Sequence, residues 1–375
     1  FLQKNGSSEQ SKEDLIVQEY DLALQLCENN GNSQHIPRVL IKQKSLVEPD
    51  PPEIQDIIRS HLSRLGLKDT SAQNKSYGTR FTWRTNEPSV AIIMPTKNHY
   101  SLLQPCLESI FEKTSYKNFT IHLIDNNSND PETLAFYEGL NLKPNIRIHS
   151  YPKPFNYSEA INFGAAKSES DLVLFLNDDM EILDPDWLTE LVQWAIRPEI
   201  GVVGGKLIRS NHTIQHAGII IGLHGFAGHI YLNAPEHYQG LFGSVDWYRD
   251  YLALTGACQM MRREVFDEVG GYDEGYKIAF GDIDFCLRVH QAGYRNIYTP
   301  FATLFHYEGR SRGYITPQGD ILRGYSKMKS TLMEEDPYFA PSLSYTRIPK
   351  CVTSGKTSVE RKQIIETRKR FHQKQ

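Results

Sequence analysis

Long hydrophobic runs are missing from this sequence of 375 residues. No apolar stretch approaches the roughly 18 residues of a membrane-spanning helix, so we predict no transmembrane segment. Binding at a membrane surface stays open. The formal net charge is only −4. A chain without a basic excess has no general attraction to nucleic acid, and we therefore predict no nucleic-acid partner.

Cysteine is also scarce, with five residues scattered at positions 27, 106, 258, 286 and 351. An odd, scattered set indicates reduced thiols, so we expect a cytoplasmic protein, with peripheral association at the inner face of the membrane left open. The chain begins at Phe1 with neither a methionine nor a signal-peptide pattern. From this we expect it to be part of a longer protein.

Gly-rich phosphate loops of the dinucleotide and P-loop kinds are absent as well. The sequence instead alternates buried-strand runs with segments of helical period. Strands are predicted at Val90–Met94, Phe119–Ile124, Ile146–Ile148 and Leu172–Leu176, and helices at Leu102–Lys113, Glu132–Leu140 and Tyr157–Ala166. This alternation predicts an α/β fold with a mostly parallel central sheet flanked by helices.

Polar residues follow the predicted strands, most notably Asp178 and Asp179 after Leu176. In open α/β sheets, ligands bind beyond the carboxyl ends of the strands. Mg²⁺ and Mn²⁺ prefer oxygen ligands and are usually held by one or two carboxylates together with substrate phosphates. The two aspartates are therefore a candidate metal–diphosphate site. The alternative is an ordinary polar turn, because Asn and Asp favour turns.

A series of short motifs, taken in order, carries a resemblance to a known family. The motifs are Pro95-Thr96, Ile124–Ser128, Phe155–Ser158, Leu176–Asp179, Gly204–Leu207, Gln215–Gly218, Thr255–Cys258 and Phe280–Arg288. The chain resembles family 2 glycosyltransferases with the GT-A fold, in particular bacterial enzymes that build O-antigen and other surface polysaccharides. The resemblance implies inverting transfer from a nucleoside-diphosphate sugar, UDP being the first candidate, to an oligosaccharide or lipid-linked glycan, with Mn²⁺ or Mg²⁺ as cofactor.

The resemblance also implies roles for individual residues. Asp179 would bind the metal, and His306 matches a histidine that approaches the metal or phosphate in some relatives. Asp178 would meet the ribose. The other residues expected to bind the nucleotide sugar are Pro95, Thr96, Asn98, Asp125, Asn127 and Asn156.

Asp282 matches the acidic residue that acts as catalytic base in inverting members. A carboxylate within hydrogen-bond reach of the acceptor hydroxyl can take up its proton. Family patterns often have Glu, Asp or Asn immediately before this aspartate, whereas this chain has Gly281, which leaves the orientation of the base open. The alternative for Asp282 is the N-cap of a helix predicted over Ile283–Ala292.

The segment Gly201–Ala257 is rich in histidine and aromatic residues, and we expect it to shape the acceptor side. Trp247 is the candidate acceptor contact, and an ordinary core tryptophan is the alternative. His212 and His216 have the spacing of a zinc pair. Because no cysteine pair or metalloprotease glutamate accompanies them, loop and core histidines are the favoured interpretation.

We interpret residues 1–45 as the tail of an upstream glycosyltransferase module in the same native chain. Glu19–Leu26 resembles Asp282–Val289, and in both places a proline follows at the same distance, Pro37 and Pro300. Such self-similarity is typical of a repeated module. Chance similarity of two amphipathic helices is the alternative.

Three further regions are predicted. Residues 46–88 form a helical connector, with a helix over Ile54–Leu65 and a loose polar stretch over Ser71–Tyr77. Residues 89–313 form the GT-A catalytic domain, divided into a nucleotide-binding half (89–180) and an acceptor and catalytic half (181–313). Residues 314–375 form a C-terminal helical extension, with helices over Leu322–Met333 and over Ser358–Gln375, the latter either solvated or in contact with anionic lipid.

Two other functions compete with this interpretation. A nucleotidyltransferase would carry a Gly-rich loop with a basic residue after the first strand, which Pro95-Thr96-Lys97-Asn98 lacks. A non-catalytic glycan- or nucleotide-binding module would be a degenerate member of a tandem protein. The intact Asp178, Asp179 and Asp282 disfavour degeneracy, while Gly281 leaves it open.

Overall fold

The computed structural model describes residues 12–28, 52–67, 69–240, 243–307, 316–334, 336–339 and 343–345, together with five positions between 362 and 370. The chain divides into two compact units, residues 1–84 and residues 85–375. In the described part, no helix is both long enough and apolar enough to cross a bilayer.

In its described residues, the first unit contains two helices and a β-hairpin, namely α1 (Lys12–Glu28), α2 (Pro52–Arg64), β1 (Thr70–Lys75) and β2 (Gly78–Trp83). The helix expected over Ile54–Leu65 is confirmed as α2. Glu28 at the end of α1 accepts a hydrogen bond from Arg64 Nε at 2.8 Å and lies 2.6 Å from His61 Nδ1. These contacts join the two helices.

The expectation of a loose polar stretch over Ser71–Tyr77 is wrong. This stretch pairs antiparallel with β2, in a register that sets Ala72 opposite Phe81. Ala72 and Phe81 pack against the apolar face of α2, which is formed by Ile54, Ile58 and Leu62. The packing of these two side chains against α2 stabilises the hairpin, although the rest of β1 is polar.

The predicted relation of residues 1–45 to an upstream module stays a prediction. Pro37 and the strand expected after it lie outside the described residues. Leu22 and Leu26 on α1 are 57% and 63% exposed. The residues to which they correspond in the similarity, Phe285 and Val289, are fully buried.

The second unit begins with alternating strands and helices. They are β3 (Val90–Thr96), α3 (Tyr100–Lys113), β4 (Phe119–Asp125), α4 (Pro131–Leu140), β5 (Ile146–Ser150), α5 (Tyr157–Ala165), β6 (Leu172–Leu176), β7 (Met180–Ile182), α6 (Trp187–Ala195) and β8 (Ile200–Ile208). All of the strands and helices predicted in this region are present, with ends that shift by one or two residues. Periodicity and strand-like runs were therefore sufficient to locate them.

Shorter strands dominate the next part of the chain. They are β9 (Ile214–His216), β10 (Ile219–Ile221), β11 (Ala227–His229), β12 (Gln239–Gly240), β13 (Gly243–Ser244), β14 (Arg249–Asp250) and β15 (Cys258–Arg262). The elements that follow are α7 (Arg263–Glu268), α8 (Gly281–Gln291), β16 (Arg295–His306), α9 (Gln318–Lys327) and α10 (Lys329–Met333). The helix expected over Leu322–Met333 is thus divided at Met328, and most of Ser358–Gln375 lies outside the described residues.

The central sheet has ten strands, in the order β14-β16-β8-β15-β6-β3-β4-β5, with β7 paired to β16 and β9 paired to β8. The α/β fold is confirmed, and the strand directions are mixed rather than mostly parallel. The strands β6, β3, β4 and β5 are parallel, as are β8 and β16. Strand β15 enters between β6 and β8 and runs antiparallel to both, which the motifs of the second half did not reveal.

The sheet has a hydrophobic core on each face. Ile93 and Phe175 belong to the cluster on one face, and Ile92 and Leu174 belong to the cluster on the other. Strands covered on both faces read as continuous apolar runs instead of alternating patterns. This double burial explains the runs at β3 and β6. The parallel pairing of β3 with β6 places the carboxyl ends of these strands at one edge of the sheet.

Candidate functional site

A cavity of about 770 Å³ lies at the carboxyl ends of β3 and β6. The beginnings of α5 and α8 and the end of β16 complete its wall. Among the residues that line it are Pro95, Thr96, Lys97, His99, Asn126, Lys153, Tyr157, Ser158, Asn177, Asp178, Asp179, Gln215, His229, Gly256, Ile278, Asp282, His306 and Thr316. Three carboxylates from two separate parts of the chain, Asp178, Asp179 and Asp282, therefore share one cavity.

Asp178 and Asp179 occupy the turn between β6 and β7. The turn expected as the alternative does exist, but its aspartates are only 8% and 4% exposed, unlike those of a solvated turn. Asp178 Oδ2 is buried and accepts no hydrogen bond from the described residues. The Nδ1 atom of His99 is 3.5 Å from this oxygen. A buried carboxylate oxygen in this position is available to a ligand.

His306 reaches Asp179 because β7 pairs with the end of β16, with Met180 opposite His306. His306 Nδ1 lies 3.2 Å from Gln215 Oε1, and Asn177 Nδ2 lies 3.4 Å from His306 Nε2. Nδ1 is thus engaged by Gln215, while Nε2 is directed to Asn177 and to Asp179.

His306 Nε2 and Asp179 Oδ1 face each other at 3.3 Å. Each atom can donate an electron pair, so a proton or a metal cation can lie between them. Carboxylate and imidazole are both suitable ligands for Mn²⁺. The described residues contain no group of three or more His, Cys, Asp or Glu that could hold a metal. The two side chains fit a cation whose other ligands come from elsewhere, as in sites completed by substrate phosphates.

Asp282 is the second residue of α8, and its side chain faces the cavity wall from the first turn of this helix. Its Oδ2 accepts a hydrogen bond from Gly256 N at 2.9 Å, and its Oδ1 accepts one from Ile283 N at 2.9 Å. Burial raises the pKa of the Asp282 carboxyl, and the backbone N–H groups oppose this only in part. The carboxylate is therefore held in place and is more basic than an exposed aspartate.

The alternative expectation for Asp282, an N-cap role, is wrong. The helix begins two residues earlier than predicted, so that Phe280 is the N-cap. Phe280 has φ 68°, a left-handed conformation that costs a non-glycine residue about 1–2 kcal/mol. Such strain persists only where the surroundings enforce it, and it is found often beside functional groups.

Thr96 and Asp125 lie side by side, since they are register partners at the ends of β3 and β4. Thr96 Oγ1 is buried and has no hydrogen-bond partner among the described residues. Asp125 accepts hydrogen bonds from Ser128 N and from Tyr137 Oη at 3.1–3.2 Å, which hold the carboxylate in a defined position. Pro95 and Thr96 line the cavity, and Asp125 is adjacent to the lining residue Asn126.

Four other residues expected at the site are not among those that line the cavity. Asn98 connects two loops, because its Oδ1 accepts from Asn129 N and Asp130 N. Asn156 caps α5 through Glu159 N and also donates to Glu274 O. Asn127 is exposed. Trp247 is 44% exposed, so it is not the core tryptophan of the alternative.

Sequence reasoning assigned no role to several residues that line the cavity, among them Gln215, His229 and Ser158. His229 Nδ1 lies 2.8 Å from Nδ1 of the fully buried His216. The favoured interpretation of His212 and His216 as loop and core histidines is confirmed, since His212 contacts Glu236 at the surface and His216 is fully buried. The Gln215–Gly218 motif was a signal for Gln215. For His229, only the pairing of β10 with β11 brings it to the site.

Residues 91–270 match the sequence model of glycosyl transferase family 2. The chain belongs to this family. The O-antigen biosynthesis protein RfbC of Myxococcus xanthus is 38% identical over 77% of the chain, and the uncharacterized protein y4gI of Sinorhizobium fredii is 36% identical over 88%. The chain spans only 23% and 39% of the lengths of these two relatives. The O-antigen chain rhamnosyltransferase RfbN of Salmonella typhimurium is 27% identical over 62% of the chain and 69% of its own length.

Solved glycosyltransferases share the fold. A mannosyltransferase from Pyrobaculum calidifontis, solved with GDP-mannose and Mn²⁺, has a TM-score of 0.51 at 14% identity, covering 94% of this chain and 84% of its own. GalNAc-T7, solved with UDP, GalNAc and Mn²⁺, has a TM-score of 0.55 at 16% identity, covering 80% and 61%. The GT-A fold expected from the motifs is thereby confirmed.

Proposed function

We propose that this glycosyltransferase is an inverting, metal-dependent enzyme. It transfers a hexosyl or deoxyhexosyl group from a nucleoside-diphosphate sugar, with UDP as the first candidate nucleotide, to a glycan acceptor in bacterial surface polysaccharide synthesis. The observation that carries the proposal is the meeting of Asp178, Asp179 and Asp282 in one cavity. The names of the relatives support the polysaccharide setting.

Asp282 is proposed as the catalytic base. Attack on an anomeric carbon requires the acceptor hydroxyl to lose its proton as the new bond forms. Asp282 can take that proton because the hydrogen bonds that its oxygens accept from the described residues come from the backbone of Gly256 and Ile283, which leaves other lone pairs available. Inversion requires the base and the leaving group to lie on opposite faces of the sugar, and Asp282 on α8 and Asp179 on the β6–β7 turn line the cavity from different elements.

Asp179 and His306 are proposed as the protein ligands of Mn²⁺ or Mg²⁺. When bound, such a cation neutralises charge that develops on a leaving diphosphate. Gln215 orients the His306 ring through its contact with Nδ1, so that Nε2 is directed to Asp179. Lys97 and Lys153 also line the cavity and add positive charge to the wall that would face the phosphates.

The nucleoside is proposed to lie beside Thr96 and Asp125, with Asp178 at the ribose. The buried Thr96 hydroxyl and Asp178 Oδ2 support this assignment, because both are polar atoms without hydrogen bonds from the described residues. Asn98, Asn127 and Asn156 are proposed to support the loops around the nucleotide. Trp247 is proposed to contact an extended acceptor outside the cavity, since sugar faces pack well on exposed aromatic rings. Three buried free thiols, Cys106, Cys258 and Cys286, support a reducing cytoplasmic setting.

Binding of UDP, dTDP and GDP, measured by calorimetry with and without Mn²⁺, tests the donor site. We expect one nucleotide to bind in a metal-dependent manner, and Asp179→Ala to abolish the metal dependence. Turnover of the corresponding sugar nucleotides then tests the reaction, and 6-deoxyhexose donors belong in the panel because RfbN is a rhamnosyltransferase by name. Absence of binding by all three nucleotides would contradict the proposal and favour the non-catalytic module.

The products distinguish the two enzyme classes. A glycosyltransferase releases a nucleoside diphosphate, whereas a nucleotidyltransferase consumes or releases pyrophosphate. Asp282→Asn separates catalysis from binding, because it should retain metal-dependent nucleotide binding and lose transfer. Transfer at the wild-type rate by this variant would show that the base lies elsewhere.

A further inference from the structure

The loop that precedes the candidate base, residues 273–280, is held from outside by helix α9. This 273–280 loop ends at Phe280, the left-handed N-cap of α8, two residues before Asp282. The loop also forms part of the cavity wall through Ile278. Its backbone position therefore determines where α8 begins and where the Asp282 side chain lies.

One carboxylate on α9 contacts three consecutive backbone amides of this loop. Asp320 Oδ1 accepts from Lys277 N at 3.0 Å, and Asp320 Oδ2 accepts from Ile278 N at 2.8 Å and from Ala279 N at 2.9 Å. Asp320 is only 1% exposed. A buried carboxylate is retained only where donors satisfy it, and here the loop supplies those donors.

A second contact from α9 holds the other end of the same loop. Arg323 forms a bidentate ion pair with Asp273, with N–O distances of 2.7–3.0 Å. On its inner side, the loop is joined to α5, since Tyr157 N donates to Lys277 O at 2.6 Å. Tyr157 lines the cavity, and so does Thr316, which lies two residues before α9. Helix α9 is thus connected to the cavity wall through the contacts of the 273–280 loop.

Phe280, which has left-handed backbone angles, links the restrained 273–280 loop to helix α8, which carries Asp282. Its ring packs edge-on against Phe226, with centroids 4.5 Å apart, and Phe226 also packs against Tyr325 of α9. Since Asp320 restrains residues 277–279 and Phe226 restrains the ring, the chain turns at Phe280 into α8. The family model matches residues 91–270, and helix α9 lies beyond them. The contacts that α9 makes with the 273–280 loop are therefore not part of the family match.

We propose that Asp320 is a positioning residue, which fixes the 273–280 loop through its three backbone hydrogen bonds and thereby sets the Asp282 carboxylate for proton transfer. This inference rests on the proposed function for the role of Asp282, whereas the hold on the loop does not depend on it. Asp320 itself takes no part in the chemistry. Its loss affects the turnover step and spares the nucleotide contacts at the ends of β3 and β6.

Hydrogen exchange measured by mass spectrometry on the full chain tests the hold on the loop without any ligand. Asp320→Asn keeps the size of the side chain but replaces one acceptor oxygen by a donor, so at least one of the three amides loses its partner. We expect exchange in residues 277–279 to become at least tenfold faster, with a larger effect for Asp320→Ala. Unchanged exchange in this segment would overturn the proposal.

The chain offers a matched control in Asp336→Asn. Asp336 is also a buried carboxylate of the C-terminal extension, and it accepts from Ile221 N and Tyr338 N at 2.9 Å, neither of which lines the cavity. This variant should leave exchange in residues 277–279 within about twofold of wild type, in line with the locality of exchange effects. A general loss of packing would instead accelerate exchange equally in both variants and would contradict a specific role for Asp320.

Kinetics on a panel of UDP-, dTDP- and GDP-sugars tests the consequence for Asp282. For a donor that the wild type turns over, we expect Asp320→Asn to lower kcat at least tenfold with KM for the donor within about threefold, while Asp336→Asn retains both values. A fall in donor affinity with an unchanged kcat would overturn the positioning role. If the wild type turns over none of the sugars, the proposed function fails, and the exchange result alone decides whether Asp320 holds the loop.

Discussion

Gly281 and Ser158 are in contact so close that no side chain fits between them. A Cβ added at Gly281 would lie 2.7 Å from Ser158 Oγ, which is shorter than real Cβ contacts, and 3.4 Å from Tyr276 Cβ. This contact explains why the chain departs from the family pattern, in which Glu, Asp or Asn often precedes the catalytic aspartate. The missing side chain lets α5 and α8 approach each other closely at the cavity.

We expect Gly281→Ala to destabilise the protein by about 1–3 kcal/mol, because extra volume in a packed site forces neighbouring groups to move. The same change should lower turnover, since Gly281 adjoins Asp282. Thermal unfolding and kcat are the measurements. Ser158→Ala removes the clashing hydroxyl, so the double variant should recover most of the loss in stability. Strictly additive effects of the two substitutions would contradict this explanation.

Loss of Gln215 should weaken metal binding although Gln215 is not a proposed ligand. Its Oε1 orients His306, and the loss of such an orienting group typically lowers metal affinity 10–100-fold. We therefore expect Gln215→Leu to raise the Mn²⁺ concentration needed for nucleotide binding by about this factor, as measured by calorimetry. His212→Gln, a surface substitution in the same segment, is the control. If Gln215→Leu needs the same Mn²⁺ concentration as the wild type, the assignment of His306 as a metal ligand is wrong.

The dependence of kcat/KM on pH should report the burial of Asp282. Burial raises the pKa of this carboxyl, and a general base works only when it is ionised. Activity should therefore fall on the acid side at a higher pH than an ordinary aspartate pKa of about 3.9 would give. Asp282→Asn should lower kcat/KM about 10²–10⁴-fold and should lose this acid limb. An acid limb that persists unchanged in the variant would assign it to another group.

Acid should destabilise the fold through two buried histidines. Burial lowers the pKa of His122 to about 4, and it lowers the pKa of His216 well below the usual value of 6.5. The native state therefore binds fewer protons than the unfolded state below about pH 6.5, and stability decreases as the pH falls. Each such histidine contributes about 1.4 kcal/mol per pH unit, for His122 down to about pH 4.

Urea unfolding between pH 4 and pH 7 measures this dependence. His122→Gln should reduce the slope of the free energy of unfolding by about one proton. An identical slope in His122→Gln would mean that His122 is protonated in the folded protein or that its proton is taken over by His149, which lies 3.0 Å away.

Several features could be predicted because they depend on local sequence. The apolar runs at Val90–Thr96 and Leu172–Leu176 identify strands covered on both faces, and the polar residues after them identify the edge at which Asp178, Asp179 and Thr96 meet. Periodicity also located α3, α4, α5 and α8. Asp282 and His306 were named through family motifs, and the structure brings both to the cavity, although their roles stay proposals.

Other features depend on pairings between distant segments, which periodicity does not encode. The hairpin β1–β2 was missed because its polar strand is stabilised by α2, and the antiparallel insertion of β15 was missed because strand direction has no local signal. Asn98 and Asn156 were assigned to the ligand site, yet their side chains are engaged by neighbouring loops, since Asn readily satisfies backbone groups in turns.

The sequence by itself determined the α/β alternation, the family and the carboxylates at the strand ends, because these follow from side-chain periodicity and from short contiguous motifs. Only the tertiary structure decided the approach of His306 to Asp179, the burial that raises the pKa of Asp282 and the support of its loop by Asp320. Each of these requires atoms from segments far apart in the chain to lie within a few ångströms of one another, and no local pattern specifies such a distance.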